Sequence, residues 1–116
     1  MKNKTFIQSV KCAISGLIYA LRTEKNYRYY FAIYFITLGI NMIFKISSIG
    51  YIVQLIMTTG VFGCECLNTS IEHLMNIVDE SIKPEIKIVK DVAAGSVLCW
   101  GIGYFTSWII FLVGVI

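Results

Sequence analysis

Charge is scarce in this chain of 116 residues: ten Lys and Arg with seven Asp and Glu make only 15% of it, whereas 57% is hydrophobic. The mean hydropathy of +0.73 is not that of an ordinary soluble domain. Histidine occurs once, at His73, and no Ser-His-Asp or Cys-His arrangement has supporting context. None of the nine glycines is followed by Lys, which excludes a Gly-rich phosphate loop. Internal repeats and low-complexity segments are absent. Cysteine is present (Cys12, Cys64, Cys66, Cys99) but poorly arranged for a metal. Cys64 and Cys66 are two apart, so on a helix they point about 200° apart and cannot chelate one ion together. They read as small polarizable packing residues.

What is abundant comes in blocks. Three apolar clusters cover residues 29–44, 46–67 and 92–116. The second and third clear the ~20 residues needed to cross a hydrocarbon core. The first is shorter, and gains length if its helix continues back through Asn26–Arg28 or if Lys45 snorkels. The pattern predicts an all-α membrane protein, one domain over residues 1–116. An amphipathic surface helix spans residues 1–28, and transmembrane helices span 29–45, 49–74 and 92–114. In the surface helix, Phe6, Ile7, Val10, Ile14, Leu17, Ile18 and Leu21 recur at helical spacing with polar residues between them.

Charge placement orients the spans. Lys2, Lys4, Lys11, Arg22, Lys25 and Arg28 precede the first span, and Lys83, Lys87 and Lys90 lie between the second and third. Only Lys45 falls in the short first loop. The positive-inside rule places the N-terminus and the 79–90 loop in the cytoplasm. The net charge of +3 is thus a topology signal, with no indication of nucleic acid. Lys11, Arg22, Glu24 and Arg28 interrupt any signal-peptide apolar region. Pro84, the single proline, is expected to break the chain between the second and third spans, because it disfavours helix at Lys83. In the last span, Gly95, Cys99, Gly103 and Ser107 repeat every four residues as a small face, flanked by a ridge of Trp100, Tyr104 and Trp108. Both read as packing surfaces.

The second span holds the anomaly. Glu65, Asn68, Thr69 and Glu72 share one face at about 100° per residue, and Gln54, Thr58, Asn76 and Asp79 extend the stripe. An ionised carboxylate at bilayer depth costs at least ~2.5–3.5 kcal/mol, so two of them on one buried face call for a function. If this helix runs inward, its acids emerge at the cytoplasmic interface, level with Glu24, Lys90 and Asp91. Carboxylates with an Asn carbonyl suit Mg²⁺, which usually shares its shell with substrate phosphates. Glu65, the deeper carboxylate, suits a general base, and Lys90 can neutralise phosphate charge. Asp79, Glu80 and Glu85 read as solvated charges in or beside the loop, and His73 as an interfacial polar residue.

At these residues the chain resembles the small prokaryotic diacylglycerol kinases, a family that includes undecaprenol kinases. The family signature Glu-x-x-Asn-Ser/Thr-Ala/Ser-Ile-Glu appears as Glu65-Cys66-Leu67-Asn68-Thr69-Ser70-Ile71-Glu72. Lys90-Asp91-Val-Ala-Ala-Gly-Ser-Val and Glu24-Lys-Asn-Tyr27-Arg28 also match, and the resemblance covers essentially the whole chain. It implies a homotrimeric helical bundle in a bacterial cell membrane, transferring the γ-phosphate of ATP to a lipid hydroxyl at the cytoplasmic interface with Mg²⁺ as cofactor. By resemblance, Glu65 is the general base, Glu24 and Glu72 hold metal with the ATP phosphates, Asn68 supports the site, and Lys90 and Asp91 contact the nucleotide. One departure stands out: Asn76 replaces the family's usual Asp among the nucleotide-binding positions. The Asn-Thr-Ser and Lys-Asp-Val-Ala-Ala variants are similar to the Gram-positive branch, which implies undecaprenol as acceptor, with diacylglycerol as the alternative. A reading of another class is a non-enzymatic ion or proton pathway along the polar seam, or an accessory subunit.

Overall fold

The computed structural model describes residues 5–81 and 83–115; Lys2 and Lys4, counted above in the basic flank, lie outside them. Four helices follow in order, with no strand among the described residues: α1 (Phe6–Thr23), α2 (Asn26–Phe44), α3 (Ser48–Val78) and α4 (Pro84–Val115).

α1 begins at a capping box. Thr5 Oγ1 accepts from the Gln8 amide at 3.2 Å while Gln8 Oε1 accepts from the Thr5 amide at 3.0 Å. The helix stops at Thr23, five residues before the expected end, and residues 26–28 belong instead to α2. Its apolar face is left open, with Phe6 83% exposed. A basic amphipathic helix that keeps such a face uncovered suits a membrane surface. Its contact with α3 is slight: Ala20 is buried, and the Tyr19 ring meets the His73 ring edge-on at 6.0 Å.

α2 ends where Lys45 takes a left-handed conformation (φ 54°). That is a position glycine usually fills. Ile46 is buried in the turn and Ser47 caps α3, so the chain reverses within three residues. The helix starts at Ser48, one residue ahead of the expected 49, and runs on to Val78, four residues past the expected 74.

α3 and α4 are long and apolar enough to cross a membrane; α2 does not meet the same measure. At 31 and 32 residues they run to about 46–48 Å, well past a ~30 Å hydrocarbon core. Counted from Ser48, about twenty residues of α3 end at Leu67. A span laid on those twenty residues would put Glu65 at the edge of the apolar slab and Glu72 beyond it, lowering the cost of both charges. α4 departs most from expectation. The break expected at Lys83 is present, but the helix resumes at Pro84 itself, well ahead of residue 92, because the first helical position needs no amide hydrogen and suits proline's fixed φ. Lys87, Lys90 and Asp91 are consequently helical.

Most of the packing joins α3 to α4. The aromatic ridge of α4 carries it. The Trp100 ring lies against Gly60 and occupies the place where a Cβ would stand. Tyr104 and Trp108 reach a buried polar network that ties three helices. Trp108 Nε1 donates to Asn41 Oδ1 (2.6 Å), and Asn41 Nδ2 donates to Gln54 Oε1 (2.9 Å). Gln54 Nε2 in turn donates to Thr37 Oγ1 (2.8 Å) and Tyr104 Oη (2.9 Å), which also bond to each other. Of the small face, Gly103 receives Met57, whereas a Cβ at Gly95 would meet nothing and Cys99 is exposed.

Replacing Gln54 by Leu strands the Asn41 amide and one Tyr104 contact in an apolar interior. Interhelical hydrogen bonds in membranes average about 0.6 kcal/mol and reach about 1.7. Gln54→Leu is expected to cost about 1–2 kcal/mol in detergent unfolding, and unchanged stability would show the network to be dispensable.

Candidate active site

The seam of α3 turns inward, burying Gln54, Glu65, Asn68 and Thr69. Glu65 is only 1% exposed. Its oxygens are divided between two donors from the first turn of α2: Asn26 Nδ2 reaches Oε1 at 3.3 Å and the Tyr30 hydroxyl reaches Oε2 at 3.0 Å. Tyr27, between them on the same helix, donates its hydroxyl to the Phe62 carbonyl (3.0 Å) and lies 2.9 Å from Cys66 Sγ. Residues 26, 27 and 30 share one face of α2, so one helical turn clasps α3 on both sides of Glu65. Thr69 back-bonds to the Glu65 carbonyl at 2.9 Å.

Glu24, at the break between α1 and α2, joins this cluster electrostatically. Its carboxyl is pushed above the usual carboxylate range, first by burial, then by the negative charges of Glu72 and Glu65, with His73 opposing. Glu72 accepts a long hydrogen bond from Asn68 Nδ2 at 3.4 Å. The other end of that amide, Asn68 Oδ1, is buried and has no partner among the described residues.

These observations test whether a divalent cation fits. Glu24 and Glu72 repel each other, and a cation between them would relieve that repulsion. The orphaned Asn68 Oδ1 is a further hard oxygen. Among the described residues no three of His, Cys, Asp and Glu form a ready-made cage. Mg²⁺ does not require one, since one or two carboxylates complete its shell with phosphate and water. The donor set fits.

The remaining expected residues sit around the same end. Lys90 Nζ donates to Asn76 Oδ1 at 2.7 Å, joining the start of α4 to the end of α3. Asn76 thus accepts from a lysine that an Asp there would pair with as an ion. Asp91 pairs with Lys87, one turn earlier on the exposed surface of α4. Asp79 is a local cap: Lys83 (2.9 Å) and the Ser81 amide (2.8 Å) hold its carboxyl below the usual range. Asn26 and Tyr30 escaped the sequence reading. The available signal was three polar-tipped side chains on one turn, ahead of an apolar run.

From this cluster an open-sided groove of about 310 Å³ runs down between α2, α3 and α4. Asn26, Tyr30, Glu65 and Asn68 form its polar end, and Val61, Phe62, Val97 and Leu98 are among its apolar walls.

Comparison with known proteins agrees with the signature. The pattern of the family described as prokaryotic diacylglycerol kinase matches residues 11–112. The undecaprenol kinase of Bacillus subtilis (strain 168) is 30% identical over 97 residues, covering 84% of this chain and 79% of that protein. No solved structure matches.

Proposed function

Because the chain belongs to the prokaryotic diacylglycerol kinase family and is a lipid kinase, we propose that it phosphorylates undecaprenol with ATP at the cytoplasmic face of a bacterial membrane. The observation that carries this reading is Glu65, a buried carboxylate held by Asn26 and Tyr30 where an apolar groove opens. An amphiphile with a hydroxyl at one end and hydrocarbon behind it matches that gradient. Glu65 takes the hydroxyl proton as the acceptor oxygen bonds to the γ-phosphorus, the bond from that phosphorus to the β-bridging oxygen breaks, and ADP leaves. Asn26 and Tyr30 orient the carboxylate. Glu24 and Glu72, with Asn68 beside them, hold Mg²⁺, which when bound supplies charge neutralisation on the phosphates. Lys90 swings from Asn76 to a phosphate oxygen, and Asp91 helps position the nucleotide.

In this reading α2 is a third span, short at about 28 Å, with its Asn26 end at the cytoplasmic interface. Isolated, the chain is a slab of 51 × 40 × 20 Å, only about two helices thick, with most large apolar side chains uncovered. Lipid and two further copies of the chain, in a homotrimer, would cover them.

The test is a side-by-side acceptor assay with γ-labelled ATP in mixed micelles. Label should pass to undecaprenol, only with Mg²⁺, in preference to diacylglycerol; preference for diacylglycerol would overturn the acceptor assignment. In the same assay Glu72→Gln is expected to raise the Mg²⁺ concentration for half-maximal rate roughly tenfold or more. An unmoved requirement would remove Glu72 from the metal.

A further inference from the structure

Glycines on α3 and α4 fall into two groups. At Gly50, Gly60 and Gly103 an added Cβ would press on Phe111, Trp100 or Met57, so those glycines exist for helix packing. Gly101 is different. It lies in the lining of the groove that starts at Glu65, and a Cβ there would meet nothing within 4 Å. The space left by its missing side chain belongs to the groove rather than to a neighbouring helix.

The groove has a defined depth. Along α3 it runs from Glu65 and Asn68 to Thr58, and the seven residues from Glu65 to Thr58 correspond to about 10 Å. Its far end is Tyr104, which cannot swing aside freely because its hydroxyl bonds to Gln54 and Thr37. Aromatic rings of Tyr30, Phe62 and Phe105 line the passage. A tail entering from the polar end passes Gly101, meets the fixed Tyr104 and must turn out into the lipid.

We infer that Gly101 determines how well this site accepts its lipid, by leaving room in the groove for the first isoprene units of a polyprenol whose hydroxyl rests at Glu65. This rests on the acceptor reading above. The fit is chemical: a single hydrocarbon chain with methyl branches follows a narrow aromatic slot, and the hydroxyl finds the only carboxylate in the lining.

A Cβ at Gly101 meets nothing within 4 Å, so Gly101→Leu puts its bulk into the groove, and leucine is also the better helix former. In mixed micelles of the full chain, this variant is expected to raise KM for undecaprenol roughly tenfold or more while KM for ATP stays unmoved. Gly101→Ala should fall between wild type and the leucine variant. Gly114→Leu, another open helical glycine but outside the groove, should behave as wild type. An unchanged KM for undecaprenol in Gly101→Leu overturns the inference. So does a fall in kcat alone, which would mean a distorted site. A change in oligomeric size by light scattering also overturns it, since the groove would then hold a second copy of the chain. If the wild-type protein prefers diacylglycerol, the acceptor reading fails on its own; the KM of Gly101→Leu for diacylglycerol then decides the groove separately.

Discussion

Replacing Glu65 with Gln is expected to reduce phosphoryl transfer at least about a hundredfold, because it removes a positioned general base. The substitution is nearly isosteric. The new amide oxygen can still accept from Asn26, and the Tyr30 hydroxyl can turn to accept from the amide nitrogen, so the clasp between α2 and α3 survives. The interior even loses a charge. Thermal unfolding in detergent should therefore stay close to wild type while the rate collapses, with KM for ATP little changed. That separation matters, since a residue only 1% exposed could otherwise be suspected of a structural role. Retention of more than about a tenth of the wild-type rate would assign proton removal to another group or to solvent.

The largest expected effect on stability lies where α3 meets α4. At Gly60 the α-carbon lies against the Trp100 indole, and the ring atoms Cε3, Cδ2 and Cζ3 crowd the place where a Cβ would stand. The obstruction is a rigid ring, not the end of a flexible chain, so Gly60→Ala must push α4 from α3 or drive Trp100 from its rotamer. Overpacking of this kind costs about 1–3 kcal/mol, and the α3–α4 contact is the principal one in the fold. Gly60→Ala should lower the unfolding midpoint in detergent, and adding Trp100→Leu should recover much of the loss. If the single variant unfolds like wild type, the close approach is not a source of stability.

The seam of α3 was legible because a helix displays its period: acids and amides at three- and four-residue spacing declare a face whatever they touch. The signature from Glu65 to Glu72 was equally visible. The start of α4 was not, since Pro84 signals both the end of one helix and the first position of another, and only the direction of the following chain separates the two. The partners of Glu65 were hidden for a different reason. Asn26 and Tyr30 lie 39 and 35 residues away, and their role depends on how α2 is rotated against α3. Yet Tyr27, Tyr30, Tyr34, Thr37 and Asn41 are spaced by three and four, a polar-tipped stripe on an otherwise apolar helix. That stripe could have been read as a face; its partners could not.

The amides of Asn41 and Gln54 bond near one end of α2, and Asn26 and Tyr30 meet Glu65 near the other. A helix keyed at both ends has no freedom of phase between them. Deleting one residue between Tyr30 and Thr37 would turn one key by about 100° relative to the other, so the helix could engage either lock but not both. Length variation in α2 is therefore confined to its two ends, while the eleven steps from Tyr30 to Asn41 act as a fixed gauge between a structural bolt and the reacting carboxylate.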